Sequence, residues 1–248
     1  MMSDAACHPP ILLLHGLGGT GETLTPLARV LETHGVAVAH PTLAEHDRLR
    51  AKSDGAPLKF TLLDLLDEAR SHARQLSNES GTPIVCGHSN GALLASVLAA
   101  EGIASHLILL APVPPPSVPS GVPVWLQKLF FTLTFGSGWA SGILHFDRQR
   151  RLDPDPPPPE VSETLLPDSG RVLFDAITLT RGGRFDQELT GKTSVTVLAG
   201  DQDGVVSLAT AKRVAERHGG DFHIVHDGGH WFPAEPQFVD NVAGHIMC

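Results

Sequence analysis

Short apolar runs alternate with longer amphipathic stretches along most of this chain. Residues 10–14, Pro-Ile-Leu-Leu-Leu, read as a strand buried on both faces, because a brief continuous apolar run next to turn formers fits a parallel sheet covered by helices. Leu24, Leu27, Ala28 and Leu31 recur at spacings of three and four, which predicts a helix over residues 23–32. Residues 36–39 form a second apolar run, closed by Pro41. Residues 44–58 are polar without a period and are expected as a loop.

Leu62, Leu63, Leu65, Leu66, Ala69, Ala73 and Leu76 are expected to form one apolar face of a helix over 61–77, with Thr61 or a neighbour as its cap. Residues 82–86, 106–111, 194–199 and 222–225 are the third to sixth predicted strands. A small-residue helix runs to about Ala100, and further helices cover 207–218 and 236–246. Strands that alternate with helices predict an α/β fold around a mostly parallel sheet. There is no internal repeat.

Residues 112–193 break the rhythm, since a connection of that length is far beyond the usual. Twelve of the 20 prolines fall between residues 112 and 167, and eight of the 13 aromatic residues lie between the fourth and fifth strands. An aromatic helical stretch between stiff proline runs predicts an inserted subdomain. The expected division is a core of residues 1–112 and 194–248, with residues 113–193 inserted as a cap that returns to the core. These aromatics can line a site or simply bury the insertion against the sheet.

Composition narrows the function classes. The net charge is −9, and no run of Lys or Arg stands out. An electrostatic footprint for nucleic acid or an anionic membrane is absent. No apolar stretch approaches the roughly 18 residues of a membrane span, and the N-terminus, with Asp4 in place of a basic region, carries no signal-peptide pattern. Cys7, Cys86 and Cys248 are scattered and form no CxxC. A cytoplasmic protein is expected, with Cys86 as a small buried hydrophobe.

Four glycine-flanked segments carry the candidate chemistry, and each follows a predicted strand. Gly87-His88-Ser89-Asn90-Gly91 joins a strand to a helix. A sharp turn there forces the serine into strained backbone and requires small flanking residues. The hydroxyl then projects at the sheet edge, beside free N–H groups and the positive end of the helix dipole. His15-Gly-Leu-Gly-Gly19 lets the backbone bring an N–H close to a substrate; its spacing is neither GxxxxGK[ST] nor GxGxxG, which argues against a nucleotide loop. Asp201 and Asp203 lie just past the fifth strand, where an acid can orient a histidine or bond its own turn. Gly228 and Gly229 carry His230 past the sixth strand. His223 and His226, three apart on a strand, point to opposite faces and cannot share a metal ion without a bend, so no metal site is expected.

Together these segments resemble the α/β-hydrolase family over essentially the whole chain. The order Ser, Asp, His along the chain is that family's order. The resemblance implies that Ser89 is the nucleophile, His230 the general base and then acid, and Asp203 the acid that orients it. Gly200, Asp203 and Val206 match the family's G-x-x-D-x-x-V, which favours Asp203 over Asp201. The backbone N–H groups of Leu17 and Asn90 would form the oxyanion hole. Asn90 is polar at a position often apolar in the family. A sheet of about six strands is implied, since the chain starts at the family's third strand, and the 113–193 segment falls where members carry a cap.

The expected activity is hydrolysis of an ester or related acyl bond in a small, largely apolar substrate, through an acyl-enzyme and without a cofactor. Carbon–carbon bond hydrolysis, thioester hydrolysis and lactone-forming cyclisation use the same triad, and a ligand-binding receptor on a hydrolase scaffold is the non-enzymatic alternative. Trp125, Phe130, Phe131, Phe135, Trp139, Phe146 and Trp231 are the expected pocket candidates. Phe131 and Phe135 share a helix face, whereas the adjacent Phe130 and Phe131 cannot both point inward.

Overall fold

The computed structural model describes residues 8–146, 154–178, 182–189 and 193–247. In chain order its elements are β1 (Ile11–Leu14), α1 (Thr25–Thr33), β2 (Val38–Ala39), α2 (Glu45–Asp54), α3 (Leu62–Ser80), β3 (Ile84–His88), α4 (Asn90–Ala100) and β4 (His106–Leu110). The long connection holds α5 (Val124–Phe135), β5 (Ile143–Leu144), α6 (Pro159–Thr164), β6 (Asp168–Ser169) and α7 (Gly170–Thr178). Then follow β7 (Ser194–Gly200), α8 (Leu208–His218), β8 (Asp221–Val225) and α9 (Pro236–Met247). Asp4, Cys7 and Cys248 lie outside the described residues. Among the described residues no helix is long and apolar enough to cross a membrane.

Six strands form one parallel sheet in the order β2-β1-β3-β4-β7-β8, as expected for a six-stranded α/β-hydrolase sheet. Alternation along each strand sorts the core into two layers. Ile11, Leu13, Ile84, Cys86, Ile108 and Leu110 pack with α1 and α9, while Leu12, Leu14, Val85, Leu107 and Leu109 pack with α3, α4 and α8. Fully burying each such aliphatic side chain contributes about 1.5–3 kcal/mol, and this double cover is why the strands read as continuous apolar runs rather than alternating ones.

The strand order reverses between β1 and β3. The chain leaves β1 toward α1 on one layer and β3 toward α4 on the other. Such a reversal opens a crevice at the carboxyl ends of the strands. Leu14 pairs with Gly87, so the loop after β1 and the turn after β3 start at the same level. Gly200 pairs with Val225, which brings the loops after β7 and β8 level with each other as well.

The predicted cap of α3 is present: Thr61 Oγ1 accepts from Asp64 N–H and the Asp64 carboxylate accepts from Thr61 N–H, a reciprocal capping box. Leu63, expected on the apolar face, is instead exposed, because it lies about 100° round the helix from Leu62 and about 200° from Leu65. Residues 44–58 depart from the expectation of a loop, since α2 covers Glu45–Asp54. Its inward residues are Arg48 and Ala51 rather than an apolar stripe, so hydrophobic periodicity could not reveal it. Glu45 and Asp47 in its first turn, Lys52 in its last, and Gly55 in a left-handed C-cap were the legible signals.

The long connection is mainly helical, with β5 and β6 pairing antiparallel through Ile143 and Ser169. It is not independent of the core: Val172 and Ala176 on α7 share a cluster with Leu62, Leu66 and Ala69 of α3.

Candidate active site

The turn between β3 and α4 forces Ser89 to φ +53° and ψ −118°. Such backbone costs of order 1–3 kcal/mol in a non-glycine residue and persists only where the surroundings fix it. They do so here: Ser89 N–H donates to Leu110 O at 2.9 Å, and Ser89 O accepts from Ala92 N–H at 3.0 Å and Val113 N–H at 3.2 Å. A Cβ on Gly87 would lie 2.3 Å from the Gly91 carbonyl oxygen, and a Cβ on Gly91 would lie 2.3 Å from that of Leu14. The turn therefore closes only with glycine at both positions.

His230 stands beside this serine. Its Nε2 lies 3.0 Å from Ser89 Oγ, and its Nδ1 lies 3.0 Å from Asp203 Oδ2. The carboxylate contact assigns the imidazole proton to Nδ1 and leaves Nε2 free to accept from the hydroxyl. Burial pushes the Asp203 carboxyl up, but the hydrogen bonds from His230 and from Val205 and Val206 N–H, both at 2.7 Å, outweigh it and hold the group below its ordinary value. Ser89 and His230 are 7% and 5% exposed, so their contact is shielded from bulk water. Asp201 lies elsewhere, accepting from Asp227 N–H at 2.8 Å with His226 Nδ1 at 3.0 Å. His223 stacks on His245, with ring centroids 4.2 Å apart.

The loop after β1 passes directly over the serine, since a Cβ on Gly16 would lie 2.8 Å from Ser89 Cβ. Several groups fix this loop. His15 Nε2 accepts from Leu43 N–H, and its Nδ1–H donates to Gly16 O, both at 2.9 Å. Burial and the nearby Arg48 lower the His15 pKa to about 3, so the imidazole is neutral. Gly18 N–H donates to Asp168 Oδ2 at 2.8 Å, and Gly19 N–H to Gly16 O at 3.1 Å. Asp168 is in turn paired with Arg48 at 3.3 Å, and Arg48 also donates to Gly19 O at 2.8 Å and Pro167 O at 3.0 Å. Leu17 N–H and Asn90 N–H have no hydrogen-bond partner among the described residues.

The expected pocket aromatics divide into two groups. The Phe146 ring would lie 2.6 Å from a Cβ on Gly18 and meets Phe135 edge-on at 6.2 Å. Phe131, Phe135, Trp139 and Phe146 form one cluster with Leu17, Leu144 and Leu173. Trp231 packs against His88, His230 and the insertion's Val161 and Leu165. Trp125, 67% exposed, and Phe130 fall outside this layer. At about 100° per residue, positions 131 and 135 take the inner side of α5, and 125, 126, 129, 130 and 133 turn to solvent.

Three contributions carried no signal in the sequence. His88 Nε2–H donates to the His230 carbonyl at 2.9 Å, and burial, aided by the adjacent His230, lowers its pKa to about 3. Asp155, inside the second proline run, accepts from His230 N–H at 2.5 Å and from Gly204 N–H at 3.2 Å. Arg48 and Asp168 are separated by 120 positions, and neither sits in a motif. The Asn90 side-chain Nδ2 is buried without a partner among the described residues.

The model of the α/β-hydrolase family matches residues 11–242. No curated protein matches the chain. Among solved structures, a carboxylesterase of Nitrososphaera gargenis is similar at 19% identity, with 96% of this chain and 89% of that one covered and a TM-score of 0.65. The monoacylglycerol lipase of Paleococcus ferrophilus matches at 20% identity, with coverages of 96% and 95% and a TM-score of 0.64. The thioesterase domain from the curacin biosynthetic pathway matches at 17% identity, with coverages of 97% and 92% and a TM-score of 0.64. At these identities the likeness is one of fold.

Proposed function

Because the chain belongs to the α/β-hydrolase family, we propose that it is a serine hydrolase that cleaves a carboxylic ester of a small, largely apolar substrate. The observation that carries this reading is the unbroken line from Ser89 Oγ through His230 to Asp203, with both contacts at 3.0 Å. His230 Nε2 takes the hydroxyl proton as Ser89 Oγ attacks the ester carbonyl. Asp203 keeps the ring oriented and stabilises the imidazolium that forms. The tetrahedral oxyanion is bound by the Leu17 and Asn90 N–H groups. Each donor of that kind contributes about 3–4 kcal/mol in a water-excluded site. His230 then protonates the departing alcohol. It next deprotonates a water that releases the acid from the acyl-enzyme.

The apolar surroundings of Leu17, Phe146 and Trp231 support an apolar substrate. The similarity to esterases and a lipase supports an ester, and similarity to a thioesterase makes acyl thioesters the necessary comparison. The test combines a fluorophosphonate probe with a panel of p-nitrophenyl esters, acyl thioesters and vinylogous diketones. The wild-type protein should be labelled and should turn over esters fastest. Ser89→Ala should fold normally, escape labelling and lose about 10⁴-fold or more in rate. Equal labelling of both proteins would remove Ser89 from the mechanism, and a preference for thioesters or diketones would move the substrate class.

A further inference from the structure

The two proline runs read as stiff linkers, yet the second one reaches into the proposed active site. Asp155 lies between Pro154 and Pro156, so its backbone has little freedom. Its carboxylate Oδ2 accepts from the backbone N–H of His230 at 2.5 Å and of Gly204 at 3.2 Å. Its carbonyl oxygen accepts from Trp231 Nε1–H at 3.2 Å. The approach is close on both sides. A Cβ on Gly204 would lie 2.6 Å from the Pro154 carbonyl oxygen, and a Cβ on Gly229 would lie 2.9 Å from Asp155 Oδ1. Gly204 immediately follows Asp203, and Gly229 immediately precedes His230. One carboxylate thus grips both loops, at the residue after the acid and at the backbone of the base itself.

We propose that Asp155 is a positioning residue of the hydrolase: it ties the Asp203 loop to the His230 loop and so sets the imidazole between the carboxylate and Ser89. This inference rests on the serine-hydrolase reading. The His230 peptide is held from both sides, because its N–H is bound by Asp155 and its carbonyl by His88 Nε2. His88 belongs to the same strand as the Ser89 turn, so one side of the peptide is already referenced to the nucleophile. Asp155 supplies the reference to the acid. A charged acceptor serves two N–H donors better than a neutral one, and a base displaced by an ångström loses most of its rate advantage.

The test measures kcat and KM on a p-nitrophenyl ester, together with the rate of fluorophosphonate labelling, for wild type, Ser89→Ala, Asp155→Ala and Asp155→Asn. Asp175→Ala, which removes a carboxylate paired with Arg171 on α7, is the control for the loss of an insertion charge. Asp155→Ala should lower kcat by about 10²-fold with KM within about threefold. Labelling should slow in parallel. Asp155→Asn keeps an acceptor oxygen without the charge and should recover at least about tenfold of that loss. Asp175→Ala should match wild type. The latch is overturned if Asp155→Ala keeps kcat within about threefold of wild type, or if its loss lies in KM alone. Should Asp155→Ala not fold, Asp155→Asn decides: a kcat reduced about 3–10-fold at unchanged KM supports the latch, and a wild-type kcat overturns it. A wild-type protein that the probe does not label, or labels equally after Ser89→Ala, sinks the hydrolase reading and the latch with it. A labelled wild type with Asp155→Ala labelled at the same rate sinks only the latch.

Discussion

At the scale of single residues, the two aspartates after β7 differ in everything but their neighbourhood. Asp203 is buried and engaged by an imidazole and two backbone N–H groups, whereas Asp201 braces the turn at Asp227. Asp203→Asn keeps an acceptor for the turn but cannot stabilise an imidazolium, and it favours the wrong tautomer of His230. Its kcat should fall by about 10³–10⁴-fold with the fold intact. Asp201→Asn should stay within about tenfold of wild type. Steady-state kinetics on one ester checks the pair, and the reverse ranking would transfer the orienting role to Asp201. The Ser89 turn and the glycine loop were readable from sequence because their demands are local. A serine in left-handed backbone and carbonyls 2.3 Å from a missing Cβ leave few residue choices. Asp155 and His88 were not readable. They act on backbone groups 75 and 142 positions away, and a backbone partner leaves no trace in residue type.

At the scale of elements, strands and most helices were legible because each buries an apolar run or stripe, whereas α2, anchored by a buried ion pair, offered only its charged turns and its capping glycine. The carboxyl ends of β1 and β3 share a further property: each depends on a neutral imidazole. Both His15 and His88 have pKa values lowered to about 3, first by burial, against an ordinary value near 6.5. Between those two values the unfolded chain binds protons that the folded chain refuses. Their contribution is therefore fully present above about pH 6.5 and is lost as pH falls toward 3. Each group removes up to about 1.4 kcal/mol per pH unit in that window. Denaturant melts at pH 7.5, 6.0 and 5.0 should show stability dropping from each pH to the next, with little change between pH 7.5 and 8.5. A curve flat down to pH 5 would mean that burial keeps neither ring neutral.

At the scale of the whole molecule, the chain reads as a sheet with the four candidate-site loops at one end and an insertion that leaves from that end after β4 and enters the parallel strand β7 at the opposite end. The sheet order and the loops at its carboxyl ends were legible from the alternation of patterns. How the insertion is fastened was not, because its contacts reach back to β1, α2 and the last two loops. The Arg48–Asp168 pair joins core to insertion with both side chains almost wholly buried. Separating these partners would strand a charge in the interior, at a cost of about 3–5 kcal/mol. Swinging the base of the insertion away as one rigid flap would carry that cost. Helix α5 has no fully buried residue, and among the described residues no ion pair ties it to the core. Under the proposed hydrolase reading, traffic to and from Ser89 is then expected to pass by fluctuations of α5 and its flanks. Hydrogen–deuterium exchange provides the measure: the amides of Leu166, Asp168 and Ser169 should exchange as slowly as those of β1, and those of α5 at least about 10²-fold faster. Arg48→Met should raise exchange at 166–169 toward that of α5, and equal, slow exchange across the whole insertion would require another route to the site.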